Sequence, residues 1–445
     1  MKHHAAEAGG VGGPHQASYL ARDYAEDWPL DFCPRLESVL GYRSISQQAG
    51  TLMKIFSRTK RRSVESSPPT PRMCASLSLS GALFLAILLF QAPGAIGQDA
   101  KTKDEKKEAR KTEPFKIQQL TQGMGLYSIG PVSPDKKSVL LIAKKPDASP
   151  NLYVMNIGDH SIRPPLTNLK WGVTGPQWSP DGQWVAFAGF NETASFDEIF
   201  ILNVKTGTVR QLTKNGFSDK EPVFTPDGKQ ILYTSDESPL PDAAFGILHV
   251  ASIPVGGGKP QFFTEDECSS IRPGISADGK SVLLLKVSDN SGRHALWQYG
   301  LDGKAQRDLT ETRYARIRGY IPGAAHGMIV LWAQEQAEQQ DNIYLFDPEV
   351  GQAHELPQPD LPKVSPALSP DGKLIAFIAP ASAGSQLFLY DSTTEQIKQL
   401  TYKIANTHSP RFVSNTEILF GSNREKENEL FQVDLSQPVE EKKKK

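Results

Sequence analysis

Cysteine is scarce in this sequence, with three residues in 445, at Cys33, Cys74 and Cys268. Three cysteines cannot form the disulfide framework that holds small secreted domains together. No Cys-x-x-Cys and no His-x-x-x-His pair occurs either, which excludes the common zinc modules. The chain is therefore expected to fold around an ordinary hydrophobic core.

An excess of charge of either sign is also absent. The sequence has 49 Lys and Arg against 50 Asp and Glu, for a formal net charge of −1. This balance excludes a chain-wide basic surface, so we expect no nucleic-acid partner. With 38% hydrophobic residues, it also excludes a wholly disordered acidic protein.

No hydrophobic run is long enough to be a standard membrane span. The densest run, 77–90, is fourteen residues long, whereas a spanning helix needs roughly 20. Basic residues precede it, at positions 60–62 and 72, and small residues follow it up to Gly97. This order predicts a secretory signal peptide over 73–97, cleaved after Ala95 or Gly97. An uncleaved signal that serves as an N-terminal membrane tether is the alternative.

The signal begins well inside the chain, although such signals stand at the extreme N-terminus. The true start is therefore Met1, Met53 or Met73, and residues 1–72 are predicted to be a mis-started or disordered leader. Residues 98–114 form a charged linker and 436–445 a charged tail. We expect a periplasmic or secreted protein that is monomeric.

A repeat governs the rest of the chain. The tetrapeptide Ser-Pro-Asp-Gly starts at Ser179 and Ser369, with close variants at 133, 225 and 276. The period is about 46 residues, which predicts degenerate copies near Pro322 and Ser414. A second marker, Leu-Thr, runs in phase with the first, at 120–121, 166–167, 212–213, 309–310 and 400–401. Phe263-Thr264 and Leu356-Pro357 fill its two gaps.

Each period has the composition of four short antiparallel strands. In the second period, 176–178, 184–188, 198–203 and 209–213 are rich in aromatic and β-branched residues. In the turn, proline sets φ, Asp181 caps through its side chain and Gly182 accepts a positive φ. Four strands in about 46 residues predict one propeller blade.

The chain ends indicate how the ring closes. The first Leu-Thr strand, 116–121, precedes the first turn and has no blade of its own, whereas the last blade, 408–435, lacks a fourth strand. We therefore predict an all-β, seven-bladed β-propeller over 115–435, closed by the N-terminal strand in the last blade. Six blades plus an irregular segment is the alternative if the copy near 322 is not a blade.

These repeats resemble the propellers of TolB, tricorn protease and the dipeptidyl peptidase IV family. The resemblance covers the propeller alone. It implies the fold and says little about function, because fold does not fix activity. TolB-like proteins carry an α/β domain before a six-bladed propeller, and the peptidases add a hydrolase domain with a Gly-x-Ser-x-Gly motif. Neither is found here, so neither role carries over.

The remaining reactive residues favour structural roles. The motif aspartates are expected to cap turns, one blade apart; they are Asp135, Asp181, Asp227, Asp278 and Asp371. The histidines are scattered in sequence, and acidic neighbours would raise rather than lower the pKa of the Cys268 thiol. We therefore expect no catalytic residue, no metal site and no cofactor.

The mouth of the central channel is the best candidate site. A proline recurs three residues before most turns, and the residues just ahead of it should ring the opening. The charged members are Lys220, Glu221, Arg272, Arg316, Arg318 and His408. With one acid among them, they predict a mildly cationic rim that receives carboxylates or sulfates through arginine.

The leading hypothesis is an exported, non-catalytic scaffold that binds an envelope or secreted protein, or an anionic ligand, at this rim. The rival is an enzyme of the same fold, such as a polysaccharide lyase or hydrolase acting in the channel. A clustered His/Asp/Glu set would favour the enzyme, and an Arg/Lys rim without paired acids would favour binding.

Overall fold

The computed structural model describes residues 113–439, except 146–147, 171, 191–195, 240–245, 266, 289–290, 312, 337–339, 359 and 404. All of these residues belong to one compact unit, Gly97–Lys445. The leader, the signal peptide, nearly all of the linker and residues 440–445 of the tail lie outside the described residues, so their assignments stay predictions. Within the described part of the chain, no helix is both long and apolar enough to cross a membrane.

Strands dominate the regular structure of the described ranges, which also contain a short 3-10 turn at Ala325–Gly327. The strands are β1 Phe115–Gln119, β2 Leu126–Val132, β3 Ser138–Ala143, β4 Asn151–Asn156, β5 Val173–Trp178, β6 Trp184–Gly189, β7 Glu198–Asn203, β8 Val209–Gln211, β9 Asp219–Phe224, β10 Gln230–Ser235, β11 His249–Pro254, β12 Gln261–Phe262, β13 Ser269–Ile275, β14 Ser281–Val287, β15 His294–Gly300, β16 Ala305–Asp308, β17 Tyr314–Pro322, β18 Ile329–Glu335, β19 Asn342–Asp347, β20 Gln352–Glu355, β21 Val364–Leu368, β22 Leu374–Ala381, β23 Gly384–Asp391, β24 Gln396–Gln399, β25 Thr407–Phe412, β26 Glu417–Glu425 and β27 Glu427–Pro438. The predicted all-β class is confirmed.

The strands pair in chain order into antiparallel sheets. These are β2-β3-β4, β5-β6-β7-β8, β9-β10-β11-β12, β13-β14-β15-β16, β17-β18-β19-β20 and β21-β22-β23-β24. The fourth and fifth of these are linked by a single residue pair, His294 with Tyr314. The last sheet has the order β1-β27-β26-β25, so it contains strands from both ends of the described chain.

The Ser-Pro-Asp-Gly turns connect the first and second strands. In the second sheet the Ser179 hydroxyl donates to the Asp181 carboxylate at 2.6 Å. The same carboxylate accepts the Gln183 N–H at 3.0 Å, and the Ser179 hydroxyl accepts the Trp184 N–H at 2.9 Å. Gly182 has φ of +70°. The hydroxyl bond from Ser179 lowers the pKa of Asp181, so its carboxylate caps the turn in its ionised form.

The threonine of the Leu-Thr marker fixes the start of the third strand. Its hydroxyl accepts a backbone N–H at 2.9–3.0 Å, the donors being Leu152, Ile199, Val250, Leu296, Leu387 and Leu430. The acceptor for Leu430 is Thr121, whose hydroxyl also donates to the Glu429 carboxylate at 2.5 Å. The first Leu-Thr copy therefore serves the last sheet, 308 residues further along the chain.

The sheets bury both of their faces. Along β6, Val185 and Phe187 pack with residues of the first sheet, while Ala186 and Ala188 pack with residues of the third. Residues alternate between the faces of a strand, so a sheet that is apolar on both faces needs a neighbour on each side. The last and first sheets share such a cluster too, through Leu419 and Leu141 among others.

The two degenerate turns connect strands in the expected places. Around residue 322, β17 ends at Pro322, the 3-10 turn follows and β18 begins at Ile329. Near 414, the Ser414 hydroxyl accepts the Glu417 N–H at 3.1 Å, between β25 and β26. Both degenerate turns thus connect a first strand to a second strand, although they lack the full Ser-Pro-Asp-Gly motif.

We predict that Thr121→Val lowers the melting temperature by several degrees, for a loss of about 1–3 kcal/mol. The buried Glu429 carboxylate loses a donor and the Leu430 N–H loses its acceptor. Thermal unfolding by circular dichroism measures the change. The control is Thr206→Val, which removes an exposed turn hydroxyl. Equal melting temperatures for the two variants would contradict a structural role for the Thr121 bonds.

Candidate functional site

The first strand of every sheet contains a β-bulge, in which one extra residue interrupts the register. In five sheets a residue followed by proline lies in the bulge with φ between +50° and +56°. These residues, which we call the bulge ring, are Gly175, Glu221, Arg272, Ser365 and Ser409. Proline suits a bulge because it has no N–H to give to the ladder. The left-handed conformation is uncommon for residues other than glycine and is typical of functional sites.

Bulge-ring residues of consecutive sheets lie side by side. A Cβ on Gly175 would be 3.9 Å from the Cα of Glu221, and one on Gly319 of the fifth sheet would be 4.0 Å from an Arg272 Nη. The Arg272 N–H donates to the Glu221 carboxylate at 3.0 Å. The first strands of the last and first sheets, β25 and β2, are also in contact. The bulges therefore follow one another from sheet to sheet.

Glu221 and Arg272 form an ion pair between the third and fourth sheets. The Arg272 Nε lies 3.4 Å from a Glu221 oxygen, and the two side chains are 31% and 28% exposed. The Thr234 hydroxyl donates to the same carboxylate at 2.8 Å. The Tyr320 hydroxyl lies 2.7 Å from the Arg272 carbonyl oxygen and fixes the backbone from the fifth sheet. This pair is held in place yet remains open to solvent.

Two other cations of the predicted rim, Lys220 and Arg318, also meet acids. The Lys220 Nζ lies 3.1 Å from Asp197, and the Arg318 Nε lies 3.3 Å from Asp341. Arg316 is half-buried on β17. Sequence reasoning missed Asp197 and Asp341 because each stands just before a third strand, whereas only the residues ahead of the first strands were considered.

His408 does not add charge to the rim at neutral pH. Burial lowers its pKa to about 4. Its ring lies against Gly421, where a Cβ would be 2.2 Å from the imidazole. Its Nδ1 is 3.2 Å from the Ser409 hydroxyl, and its covered Nε2 has no hydrogen-bond partner among the described residues. The rim is therefore closer to neutral than the sequence predicts.

A group of carboxylates lies behind the rim. Asp219, on the strand that carries Lys220 and Glu221, is fully buried. Its carboxylate accepts the Ser235 hydroxyl at 2.5 Å and an Asn215 amide N–H at 3.2 Å. Burial, and to a lesser degree the nearby Glu198, raises the pKa of Asp219 to about 7. Glu198 is 1% exposed, so a substrate cannot reach either carboxyl.

The repeated four-stranded sheets, their turns and the bulges between them define a β-propeller domain. The chain belongs to the TolB beta propeller domain family, whose model matches residues 114–360. The resemblance to TolB and peptidase propellers that the repeats predict is confirmed.

The curated relatives have different activities. The Tol-Pal system protein TolB of Francisella tularensis subsp. mediasiatica is 24% identical over 188 residues, or 40% of this chain and 42% of the relative. Dipeptidyl-peptidase 5 of Porphyromonas gingivalis is 24% identical over 192 residues, or 41% of this chain and 27% of the relative. The chain thus spans less than half the length of these relatives.

A solved structure shows the same fold. Oligogalacturonate lyase from Vibrio parahaemolyticus has a TM-score of 0.56 at 14% identity, covering 72% of this chain and 93% of the lyase. At this identity the likeness concerns the fold alone. Function has to be argued from the site.

We predict that the buried carboxylates around Asp219 contribute stability near pH 4 that is lost as the pH rises to about 7, and that Asp219→Asn reduces this loss. The buried, neutral His408 acts in the opposite direction, equally in both proteins. Aspartate titrates near 3.9 in unfolded chains, so in this window the folded protein binds more protons than the unfolded one, and its advantage is lost above the folded pKa. Burial also raises the pKa of Asp197 and Glu198, so the variant keeps part of the effect.

Melting temperatures between pH 5 and pH 8 test this prediction: over this range the wild type should lose roughly a few degrees more than Asp219→Asn. Asp227→Asn is the control, because its hydroxyl donor Thr225 lowers the pKa of Asp227 and its effect belongs below about pH 4. If Asp219→Asn and the wild type show the same pH profile, Asp219 does not titrate in this window.

Proposed function

We propose that the propeller has seven blades and is closed by β1. Seven first strands carry a bulge at comparable positions, and the fifth sheet, β17–β20, is a full four-stranded unit. Thr121 occupies in the last sheet the place that Thr213 and Thr401 occupy in theirs. The contact between β25 and β2 supports the same arrangement. The six-bladed alternative would leave β17–β20 outside the ring.

We further propose that the chain is an exported, non-catalytic scaffold that binds a protein partner at the bulge ring. The observation that carries this proposal is the Glu221–Arg272 pair, held on two left-handed bulges by hydrogen bonds and still about 30% exposed. Such strain is retained where a fixed side-chain position serves a function. An arginine held in a fixed position is a common anchor for protein partners.

Two exposed aromatic side chains extend this surface. Phe196 is 43% and Phe217 37% exposed. Phe196 directly precedes the buried Asp197, and Phe217 lies two residues before the buried Asp219. The Asp219 N–H donates to the Asp197 carbonyl at 2.7 Å, which brings the two segments together. Aromatic residues beside charged ones are typical of protein interfaces. We call Phe196, Phe217, Lys220, Glu221 and Arg272 the docking face.

The proposal of export rests on the sequence. The apolar run at 77–90, its basic flank and its small-residue exit favour a signal peptide. The organisation predicted from sequence, with a leader, signal, linker, propeller over 115–435 and tail, is proposed with it. A periplasmic or secreted location is compatible with the TolB relative.

Site-specific photo-crosslinking in the full chain tests the docking face. A benzophenone amino acid is placed at Phe217 and, as a matched control, at Leu301, which is 47% exposed on a turn after a third strand. With envelope and secreted extracts, we expect one protein to be captured through position 217 and not through 301. Capture should fall by about tenfold in Arg272→Gln, because a charged hydrogen bond is lost, and stay unchanged in Arg307→Gln, an exposed arginine on β16.

Equal capture at both positions, or no effect of Arg272→Gln, would overturn the docking face. The rival enzyme is tested separately. The protein is incubated with an anionic polysaccharide, such as the oligogalacturonate named for the lyase. Release of unsaturated or hydrolysed products would overturn the non-catalytic scaffold and favour the enzyme.

A further inference from the structure

Arg411 lies on β25 and is not among the residues predicted from the sequence. Its guanidinium is unusual because it lacks hydrogen-bond and ion-pair partners within the described residues. The residue is half-buried. Its Nε is covered and has no hydrogen-bond partner within the described residues. The rest of the Arg411 side chain also makes no hydrogen bond or ion pair in that part of the chain. Burial lowers the pKa of its guanidinium, but arginine keeps its charge in proteins. A cation held without an acid is costly unless something else compensates it.

The strand register places Arg411 beside His408. Arg411 pairs with Leu419 and His408 with Gly421, with the bulge between them. Paired residues share a face of the sheet, and residues two apart along a strand lie on the same face about 7 Å apart. The side chains of Arg411 and His408 are therefore on one face, next to each other.

That face looks toward the first sheet. Leu419 and Val413 pack there with Leu126, Ile129 and Leu141 of β2 and β3. The opposite face is the one on which Phe412 and Phe420 pack with the sixth sheet. Arg411 and His408 therefore lie in the seam between the last and first sheets, in largely apolar surroundings, with two nitrogens, Arg411 Nε and His408 Nε2, that lack partners among the described residues.

We propose that Arg411, with His408 beside it, binds a carboxylate in this seam. The planar guanidinium can offer two parallel N–H donors to one carboxylate. His408, which is neutral, can add a third donor without a second buried charge. Gly421 leaves the space in which the imidazole lies. The site extends the proposed binding role by naming a ligand chemistry, but it does not use the docking face.

The carboxylate could come from a free small acid or from the C-terminus of a peptide. Full-length protein labelled with ¹⁵N is titrated with acetate, with triglycine and with triglycine amide, at constant ionic strength held with chloride. The Nε–H signal of Arg411, assigned by its loss in Arg411→Gln, reports occupancy directly. We expect a saturable shift with acetate or triglycine and none with the amide. A larger effect of triglycine than of acetate indicates a peptide terminus.

Melting temperature provides a second readout. Without ligand, we expect Arg411→Gln to be as stable as the wild type or more stable, because an uncompensated cation is removed. With acetate or triglycine, the wild type gains stability and the variant loses the response, with affinity lower by about tenfold or more. Arg411→Lys, which keeps the charge without the fork, should bind more weakly than the wild type.

Three results would overturn the proposal. One is an Arg411 signal that does not move with either carboxylate, which needs no variant to observe. Another is equal affinity of Arg411→Gln and the wild type. The third is a large loss of stability in ligand-free Arg411→Gln, which would give Arg411 a structural role. Arg272→Gln should leave the Arg411 titration unchanged, so failure of this site and failure of the docking face are separate outcomes.

Discussion

Burial of both faces of every sheet is the constraint on which this structure depends. The second strands are largely apolar and buried, as Val185, Ala186, Phe187 and Ala188 of β6 show, and the two faces of β6 belong to different clusters. A sheet of this kind has no side to present to water and must have a neighbour on each face. The site follows from the same constraint, because polar groups are left mainly at the strand ends, along the first strands and on the outer fourth strands.

The first strands keep charged side chains exposed to solvent although the sheets are packed on both faces. An undistorted strand would direct Glu221 and Arg272 into the clusters on either side. The bulge before each proline turns the backbone locally, at a cost that the surrounding hydrogen bonds offset. Where the bulge residue is charged, it meets a partner from the next sheet, as Arg272 meets Glu221. Where it is small, as at Gly175, the neighbouring proline comes close.

Local chemistry made the fold readable from the sequence. The turn at 179–182 and the strand Glu198–Asn203 were predicted correctly because proline, aspartate, glycine and β-branched residues act within a few positions. The site was less readable. The acids Asp197 and Asp341 belong to different segments from the cations that they meet, and the neutral state of His408 depends on Gly421, thirteen residues away on another strand. The prolines of the bulges were visible, but the left-handed conformation before them was not.

The last sheet is made from both ends of the propeller, with β1 against β27. During synthesis the ribosome releases β1 first, and it has no partner until β27 emerges about three hundred residues later. Contacts so distant in sequence form late, and the edges that await them are open to wrong pairings in the interval. A chain truncated before β27 would thus carry an unmatched strand at its front and an unpaired edge at its end, which marks it for quality control.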